Sequence, residues 1–284
     1  LLFVYLIAKD VSRSKFYRKQ LEKAKKYAED LLMKREKLML TISHDIRAPL
    51  SSIIGYTELL QRLHPDGRQR YYLDNMNASS GHILALVNDL LDFHRLESHK
   101  MEFNIVPFNV SSLLNEIYLS FKPMADTKGL KFVIHEKNEE KDLLLEGDPI
   151  RIRQIISNLL SNAIKFTSKG SVVLGYEMTN DSGKYILHCI VSDQGCGIPE
   201  ADRNKLFNEF SRVSGSEGAD GFGLGLAITH KLVMLMNGTL SFESEVGKGS
   251  MFCVDIPLTA TSVQEVKAVD ADLSAVQPSD SKPS

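Results

Sequence analysis

The sequence lacks features that would point to several classes of protein. It has only three cysteines, and none stands in a CxxC or Cys/His spacing, which argues against a disulfide framework or a zinc site and favours a reducing compartment. Its formal net charge of −2 provides no basic surplus of the kind that nucleic-acid-binding proteins carry. No nucleic-acid partner is therefore expected.

A long apolar run is also missing. The chain opens with "LLFVYLIA", which is far shorter than the ~20 apolar residues that a membrane-crossing helix needs. Residues 9–37 then carry eleven Lys or Arg against five Asp or Glu, a surplus typical of the cytoplasmic side of a membrane span. We interpret residues 1–8 as the stump of a transmembrane helix, which makes the remainder the cytoplasmic portion of a cell inner-membrane protein.

The first third of the chain has the pattern of long helices. Small or apolar residues recur at alternating steps of three and four from Leu21 to Ile42, which predicts a signalling coiled coil over 9–35 and hence a homodimer. A single amphipathic helix packed on its own domain is the alternative. The helical pattern breaks at "LHPDG" (63–67) and resumes at about 68–99, so residues 36–102 predict a helical hairpin that forms a dimeric four-helix bundle.

After residue 103 the pattern changes. Short β-like runs alternate with helical ones, which predicts an α/β sandwich over 103–258 with one sheet and helices on one face. The last stretch, 259–284, is rich in Ser, Ala, Asp, Pro and Val and predicts a flexible tail or linker. The chain as a whole is expected to be a multidomain α and α+β protein. The predicted strands are 131–136, 171–178, 185–193, 238–245 and 251–258, and the predicted helices are 111–122, 149–166 and 224–236.

The stretch "SHDIRAPL" (43–50) places a proline inside a predicted helix, five positions after a histidine. On a helical projection His44 lies about 160° from Ile46 and the apolar stripe, which predicts that it faces solvent. Asp45 is suited to accept a hydrogen bond from one ring nitrogen and leave the other as a nucleophile. Pro49 predicts a bend that a signal can bias. The alternative is a surface histidine with no task.

Residues 158–167, "NLLSNAIKFT", place Asn158, Asn162 and Lys165 within about 60° on one helix face. Carboxamide oxygens can coordinate Mg²⁺ and a lysine can meet a phosphate, although Asn pairs at this spacing are also common on helix surfaces. Residues 193–199, "DQGCGIP", end a strand in a carboxylate suited to an adenine amino group. A Gly-rich turn between strand and helix is the alternative there.

Residues 221–226, "GFGLGL", precede a helix, where exposed backbone N–H groups and the dipole favour a phosphate. No GKS or GKT follows, so this is not a Walker loop, and the strand of a Rossmann turn is absent. Residues 211–220 predict a mobile lid with Arg212 available to a phosphate. The motif "LFNEF" offers Leu206, Phe207 and Phe210 to anchor the base of that lid.

In this order and spacing the motifs resemble those of sensor histidine kinases, which join a HisKA-type dimerisation and phosphotransfer domain to a GHKL-type ATPase domain. The resemblance covers roughly residues 36–258. In the terms of that family, "SHDIRAPL" looks like the H box, "NLLSNAIKFT" the N box, "DQGCGIP" the G1 box, "LFNEF" the F box, "GFGLGL" the G2 box and "GKGS" (247–250) the last glycine box.

The resemblance implies an ATP- and Mg²⁺-dependent protein-histidine kinase that passes its phosphoryl group to an aspartate of a response-regulator receiver domain, separate or in the same full-length chain. His44 is implied as phosphoacceptor, Asp45 as its acidic partner and Asn162 as the Mg²⁺ ligand. The implied nucleotide-binding residues are Asn158, Lys165, Phe166, Asp193, Gly195, Gly197, Arg212, Gly221, Gly223 and Gly225.

One position departs from the family pattern. Many members have Thr or Asn four residues after the histidine, where the side chain helps to dephosphorylate the partner, and this chain has Ala48. Weak phosphatase activity relative to kinase activity is expected. Two rival functions stay open: a catalytically silent dimeric scaffold that binds nucleotide, and an ATPase of the chaperone or topoisomerase kind, which the histidine hairpin disfavours.

Overall fold

The computed structural model describes residues 2–97, 101–137, 143–181, 184–211 and 223–260. The chain divides into two compact units, Leu1–Ser98 and His99–Ser284. The first is helical and the second combines a mixed sheet with helices, which confirms the predicted fold class. The predicted tail lies, from residue 261 onward, outside the described residues.

The first unit is an antiparallel pair of helices, α1 (Leu2–Gln61) and α2 (Gly67–Glu97). A reciprocal capping box starts α2, since Asp66 Oδ1 accepts from the Gln69 backbone N–H at 2.7 Å and Gln69 Oε1 accepts from that of Asp66 at 3.0 Å. Side-chain hydrogen bonds join the helices at both ends of the hairpin. Gln61 Nε2 donates to Asp74 Oδ1 and Arg47 Nη2 donates to Asn88 Oδ1, each at 2.8 Å.

The helix α1 continues through Pro49 without ending there. Of the predicted apolar stripe, Leu50 is buried in the single chain, whereas Ile42 and Ile53 are each 40% exposed. A single copy of the hairpin therefore leaves much of this stripe in water. Among the helices described, none is both long enough and apolar enough to cross a membrane.

The second unit is built on one mixed sheet. Each predicted strand and helix is present. The elements are β1 (Val106–Asn109), α3 (Val110–Thr127), β2 (Lys131–Glu136), β3 (Leu144–Gly147), α4 (Pro149–Phe166), β4 (Ser171–Asp181), β5 (Lys184–Asp193), α5 (Glu200–Arg203), α6 (Gly225–Leu235), β6 (Thr239–Glu245) and β7 (Gly249–Ala260). The described strands follow the order β1-β3-β7-β5-β4-β2, with β6 beside β7, and β2 with β4 is the parallel pair.

The core of this unit lies between one face of the sheet and the helices. In β5 the alternate residues Leu187, Cys189 and Val191 are buried, as the period of two in a half-covered strand requires. The helix α4 lies along the sheet with Ile155 and Leu159 fully buried. Because its apolar face is used in the core, its opposite polar face is left for the site described next.

Candidate functional site

The helix α4 carries four of the predicted site residues, and a buried carboxylate fixes its start. Asp148 Oδ1 accepts from the backbone N–H groups of Ile150 and Arg151 at 3.0 Å, and its Oδ2 accepts from that of Asn104 at 2.9 Å. Pro149 follows in the first helical position, where its missing N–H costs nothing. Such a cap stabilises a helix by about 1 kcal/mol.

The end of α4 is fixed by a lysine from another part of the chain. Lys128, just after α3, donates from Nζ to the carbonyls of Ile164 at 2.8 Å, Lys165 at 2.9 Å and Thr167 at 3.4 Å. A cation at a helix C-terminus interacts favourably with both the unpaired carbonyls and the dipole. The last turn of α4, which carries Phe166, is thereby held in place.

The polar face of α4 contains Asn158, Asn162 and Lys165, all half-buried. Asn158 donates from Nδ2 to the hydroxyl oxygen of Thr229 in α6 at 2.7 Å. Lys165 Nζ lies 5.2 Å from the centroid of the Phe166 ring. Amide oxygens, an ammonium group and an aromatic ring therefore follow one another along a single helix.

Asp193 stands at the end of β5. Its Oδ1 accepts a hydrogen bond from the Gly195 backbone N–H at 2.8 Å. Burial raises the pKa of the Asp193 carboxyl above its ordinary value, and the backbone N–H groups of Gly195 and Ser250 oppose that rise. A Cβ at Gly195 would lie 2.6 Å from the Phe166 carbonyl oxygen, so the Asp193 turn packs directly on the last turn of α4.

Two glycines allow backbone segments to approach each other closely near this end of the site. Gly249 has φ +112°, and a Cβ there would overlap the carbonyl oxygen of Asp193. Gly197 has φ +71°, and a Cβ there would overlap the carbonyl oxygen of Glu245. Only glycine fits such positions, because it has no Cβ and tolerates positive φ.

The start of α6 packs against the polar face of α4. Gly223 precedes the helix with φ +73°, and Gly225 begins it. A Cβ on Gly225 would overlap the amide oxygen of Asn158, while the amide nitrogen bonds to Thr229 one turn further on. The Asn158 carboxamide therefore packs against the first two turns of α6.

The segment before the predicted lid is anchored on α6. The Phe207 ring stacks on His230 with centroids 5.0 Å apart and an interplanar angle of 18°. Glu209 forms an ion pair with Lys231 at 2.8 Å. Phe210, which was predicted to share this role, is 59% exposed.

Four predicted site residues are not part of the site described above. Arg212 and Gly221 lie outside the described residues, and so does the side chain of His44, whose backbone is part of α1. Asp45 is exposed on α1, in the first unit. The roles assigned to these residues stay predictions.

The structure brings most of the remaining predicted residues into two contacting groups on α4, whereas Gly197 packs on the Glu245 backbone and Gly223 on that of Ser211. Asn158 meets Gly225, and Phe166 meets Gly195 and through it Asp193. Asn162 and Lys165 lie between the two groups along the helix. An elongated site runs from the start of α6 to the end of β5.

Sequence reasoning missed two residues that hold this site. Thr229 is a single hydroxyl in the apolar segment "GLAIT", and Lys128 stands in the turn "TKGL". A lone hydroxyl among residues destined for a core is a signal for a buried hydrogen bond, because an unpaired one is costly. No comparable signal exists for Lys128, since its partners are backbone carbonyls more than thirty residues away.

Two family models match the two units in turn. The model described as His Kinase A (phospho-acceptor) domain matches residues 34–99. The model described as Histidine kinase-, DNA gyrase B-, and HSP90-like ATPase matches residues 147–260.

Known proteins match most of the chain. The chain is 36% identical over 242 residues to the signal transduction histidine-protein kinase BarA of Escherichia coli strain K12, covering 84% of this chain and 26% of that protein. It is 36% identical over 264 residues to the sensor histidine kinase RcsC of the same strain, covering 92% of this chain and 27% of that one. The crystal structure of full-length ShkA in complex with AMPPNP superposes with a TM-score of 0.65 at 31% identity, over 80% of this chain and 47% of ShkA.

The chain therefore belongs to the sensor histidine kinases, with a HisKA region followed by a GHKL-type ATPase domain. The resemblance inferred from the ordered motifs is confirmed. The chain spans about a quarter of the length of the curated relatives it matches.

Proposed function

We propose that this chain is an ATP-dependent protein-histidine kinase that binds Mg·ATP in its second unit and transfers the γ-phosphoryl group to His44 of its first unit. The observation that carries the proposal is the elongated site on α4, with Asn158 at the glycine start of α6 and Asp193 beside the opposite end. Membership of the sensor histidine kinases and the AMPPNP complex of ShkA support it.

Each end of the site suits a different part of the nucleotide. The Asp193 carboxylate accepts a hydrogen bond from the adenine amino group, and Phe166 lines the base. Lys165 and Arg212 contact phosphates. Gly195, Gly197, Gly221, Gly223 and Gly225 shape the pocket and the hinges of the lid, since they let backbone approach the ligand closely.

The residues present fit a magnesium ion. Asn158 uses its NH₂ group on Thr229, so its amide oxygen is the atom left for a ligand. Asn162 supplies a second amide oxygen one turn later, and oxygen ligands completed by water and phosphate are what Mg²⁺ prefers. When bound, the ion neutralises charge on the phosphates.

At His44 one unprotonated ring nitrogen attacks the γ-phosphorus. The new N–P bond forms as the bond between that phosphorus and the β,γ-bridging oxygen breaks, and ADP leaves. Asp45 accepts a hydrogen bond from the other ring nitrogen, which stabilises the positive charge on the imidazole. An aspartate carboxylate of a receiver domain then attacks the phosphorus, and His44 is released.

The exposed apolar side chains of the hairpin support a homodimer. Leu21, Leu31 and Leu38 of α1 and Met76 and Ile83 of α2 are all exposed in the single chain. Exposed apolar side chains that recur along both helices are typical of a surface that a partner covers. A second copy covers it, through the coiled coil over 9–35 and the four-helix bundle over 36–102.

The same proposal covers the limits of the catalytic domain, the location of the protein, its phosphoryl acceptor and its phosphatase activity. The catalytic domain extends over 103–258, residues 1–8 belong to a membrane helix, and the chain is the cytoplasmic portion of an inner-membrane protein. A receiver domain, separate or in the same full-length chain, is the phosphoryl acceptor. Phosphatase activity is weak because of Ala48, and Ala48→Thr is expected to raise the rate of partner dephosphorylation.

Incubation with γ-labelled ATP tests the proposal. Acid-labile label on wild type that is lost in His44→Ala supports the kinase, because a phosphohistidine is hydrolysed in acid. Phosphate release without label would indicate a plain ATPase, and neither outcome together with intact nucleotide binding would indicate a scaffold. Either of these two results contradicts the proposal.

A further inference from the structure

The orientation of the Asn158 carboxamide decides whether its oxygen can help to hold a magnesium ion beside Asn162. The oxygen and nitrogen ends of an asparagine amide have nearly the same shape, yet only the oxygen can ligate a cation, because the NH₂ group is a donor. Asn158 must therefore present its oxygen, and the contacts that set its orientation become functionally important.

Asn158 is fixed from both sides by α6. Its Nδ2 donates to the hydroxyl oxygen of Thr229 at 2.7 Å, and its oxygen lies where a Cβ on Gly225 would be. The hydrogen bond between Nδ2 and Thr229 leaves the amide oxygen on the Gly225 side, at the glycine-rich start of α6.

Packing alone does not explain why position 229 has a hydroxyl group. Thr229 is 1% exposed, and the neighbours that share its burial in α6 are apolar: Ala227, Ile228, Leu232 and Val233. Valine has the same shape and would suit such a core better, since a buried hydroxyl is costly unless it is hydrogen-bonded. The hydrogen bond to Asn158 is the feature that valine cannot supply.

We propose that Thr229 is a positioning residue that holds the Asn158 carboxamide with its oxygen towards the magnesium–nucleotide complex. This inference rests on the proposed function, because it concerns the same site. Thr229 itself is not proposed to contact the metal or the nucleotide. Its effect passes through Asn158, in the manner of the outer-shell partners that orient metal ligands.

The test compares Thr229→Val with the conservative variant Thr229→Ser in the full chain. ATP binding is measured by calorimetry across a magnesium series and again in EDTA. We expect Thr229→Val to raise the magnesium concentration for half-maximal tightening of ATP binding by about tenfold, the range for outer-shell changes. Binding in EDTA should stay unchanged, and Thr229→Ser should stay within about twofold of wild type because it keeps the hydroxyl.

A second readout is independent of metal and nucleotide. In the ligand-free protein, the side-chain NH₂ resonances of Asn158 in a ¹H–¹⁵N spectrum should move in Thr229→Val and stay in place in Thr229→Ser. If the role of Thr229 were purely structural, ATP binding in both variants would weaken in proportion to the drop in their unfolding temperature. It would then be weaker in EDTA as well.

The outcomes separate the two proposals. If wild type binds Mg·ATP and Thr229→Val keeps the wild-type magnesium response, the positioning role is wrong while the proposed function stands. If Thr229→Val weakens binding equally in EDTA, the positioning role is also wrong. If wild type shows no magnesium-dependent binding of ATP at all, both are wrong.

Discussion

Replacing Gly249 with alanine should damage the nucleotide site through the backbone, and Gly247 provides a matched control two residues away. Both glycines have positive φ, +112° at Gly249 and +80° at Gly247. A Cβ at Gly247 would meet nothing within 4 Å, whereas one at Gly249 would overlap the Asp193 carbonyl oxygen. The two substitutions therefore share backbone strain and differ in the clash.

The magnitudes follow from that difference. Gly247→Ala should cost about 1–2 kcal/mol, the price of a left-handed conformation in a residue with a Cβ. In Gly249→Ala the start of β7 must also move away from Asp193, since ordinary contacts of a Cβ begin at 3.4 Å. That movement opens the pairing between Gly249 and Glu245, so a total of about 3–4 kcal/mol is expected.

The two variants are compared by their unfolding temperatures in differential scanning calorimetry and by their affinity for ATP. For a domain of this size 1 kcal/mol corresponds to about 2–4 °C in the unfolding temperature, so Gly249→Ala should unfold several degrees below Gly247→Ala. Gly249→Ala should also weaken ATP binding, because Asp193 is displaced, while Gly247→Ala should bind normally. Equal unfolding temperatures and equal binding in the two variants would show that the contact between Gly249 and Asp193 does not restrict position 249.

Three further substitutions have expected outcomes. Lys128→Met should lower the free energy of unfolding by about 1 kcal/mol in chemical denaturation, because the carbonyls at the end of α4 lose a cationic donor. An unchanged free energy of unfolding would contradict that role of Lys128. Burial and the nearby Asp92 raise the pKa of Asp89 to about 6. Because the carboxyl pKa is raised in the folded state, the free energy of unfolding should fall as pH rises from about 4 to 6. Asp89→Asn should therefore be more stable than wild type at pH 7, by about 1 kcal/mol after allowing for solvent screening. Below pH 4 the two proteins should be equally stable. An Asp89 carboxyl that titrates near 4 by NMR would contradict this expectation. Burial also raises the pKa of Asp193. Asp193→Asn should therefore raise the unfolding temperature of the nucleotide-free protein at pH 7, yet it should weaken ATP binding by at least about tenfold. Unweakened ATP binding would show that Asp193 is not part of the adenine site.

Local patterns in the sequence predict much of the fold. The limits of α4 agree with the prediction, because Asp148 and Pro149 form a recognisable helix start and the apolar spacing continues to Phe166. The strands β1 and β3 were not predicted. Each has only four residues, too few to show an alternation, and β1 also contains a proline.

The candidate site was predictable only in part, for a related reason. Periodicity places Asn158 and Asn162 on one face of a helix, and glycines mark the turns that approach them. The contact between Asn158 and Thr229 spans 71 residues and depends on how α6 packs against α4. Such tertiary contacts leave no regular spacing in the sequence, so Thr229 and Lys128 emerge only from the folded chain.

Mapping of the phosphorylated residue tests whether the nucleotide site of the second unit phosphorylates His44. After incubation with Mg·ATP, the protein is digested at neutral pH and analysed by mass spectrometry. We expect a phosphoryl group on the peptide that contains His44 in wild type, and none on that peptide in Asn162→Ala, which alters the nucleotide site in the other unit. Phosphorylation at a different residue, or undiminished phosphorylation of His44 in Asn162→Ala, would show that this site does not phosphorylate His44.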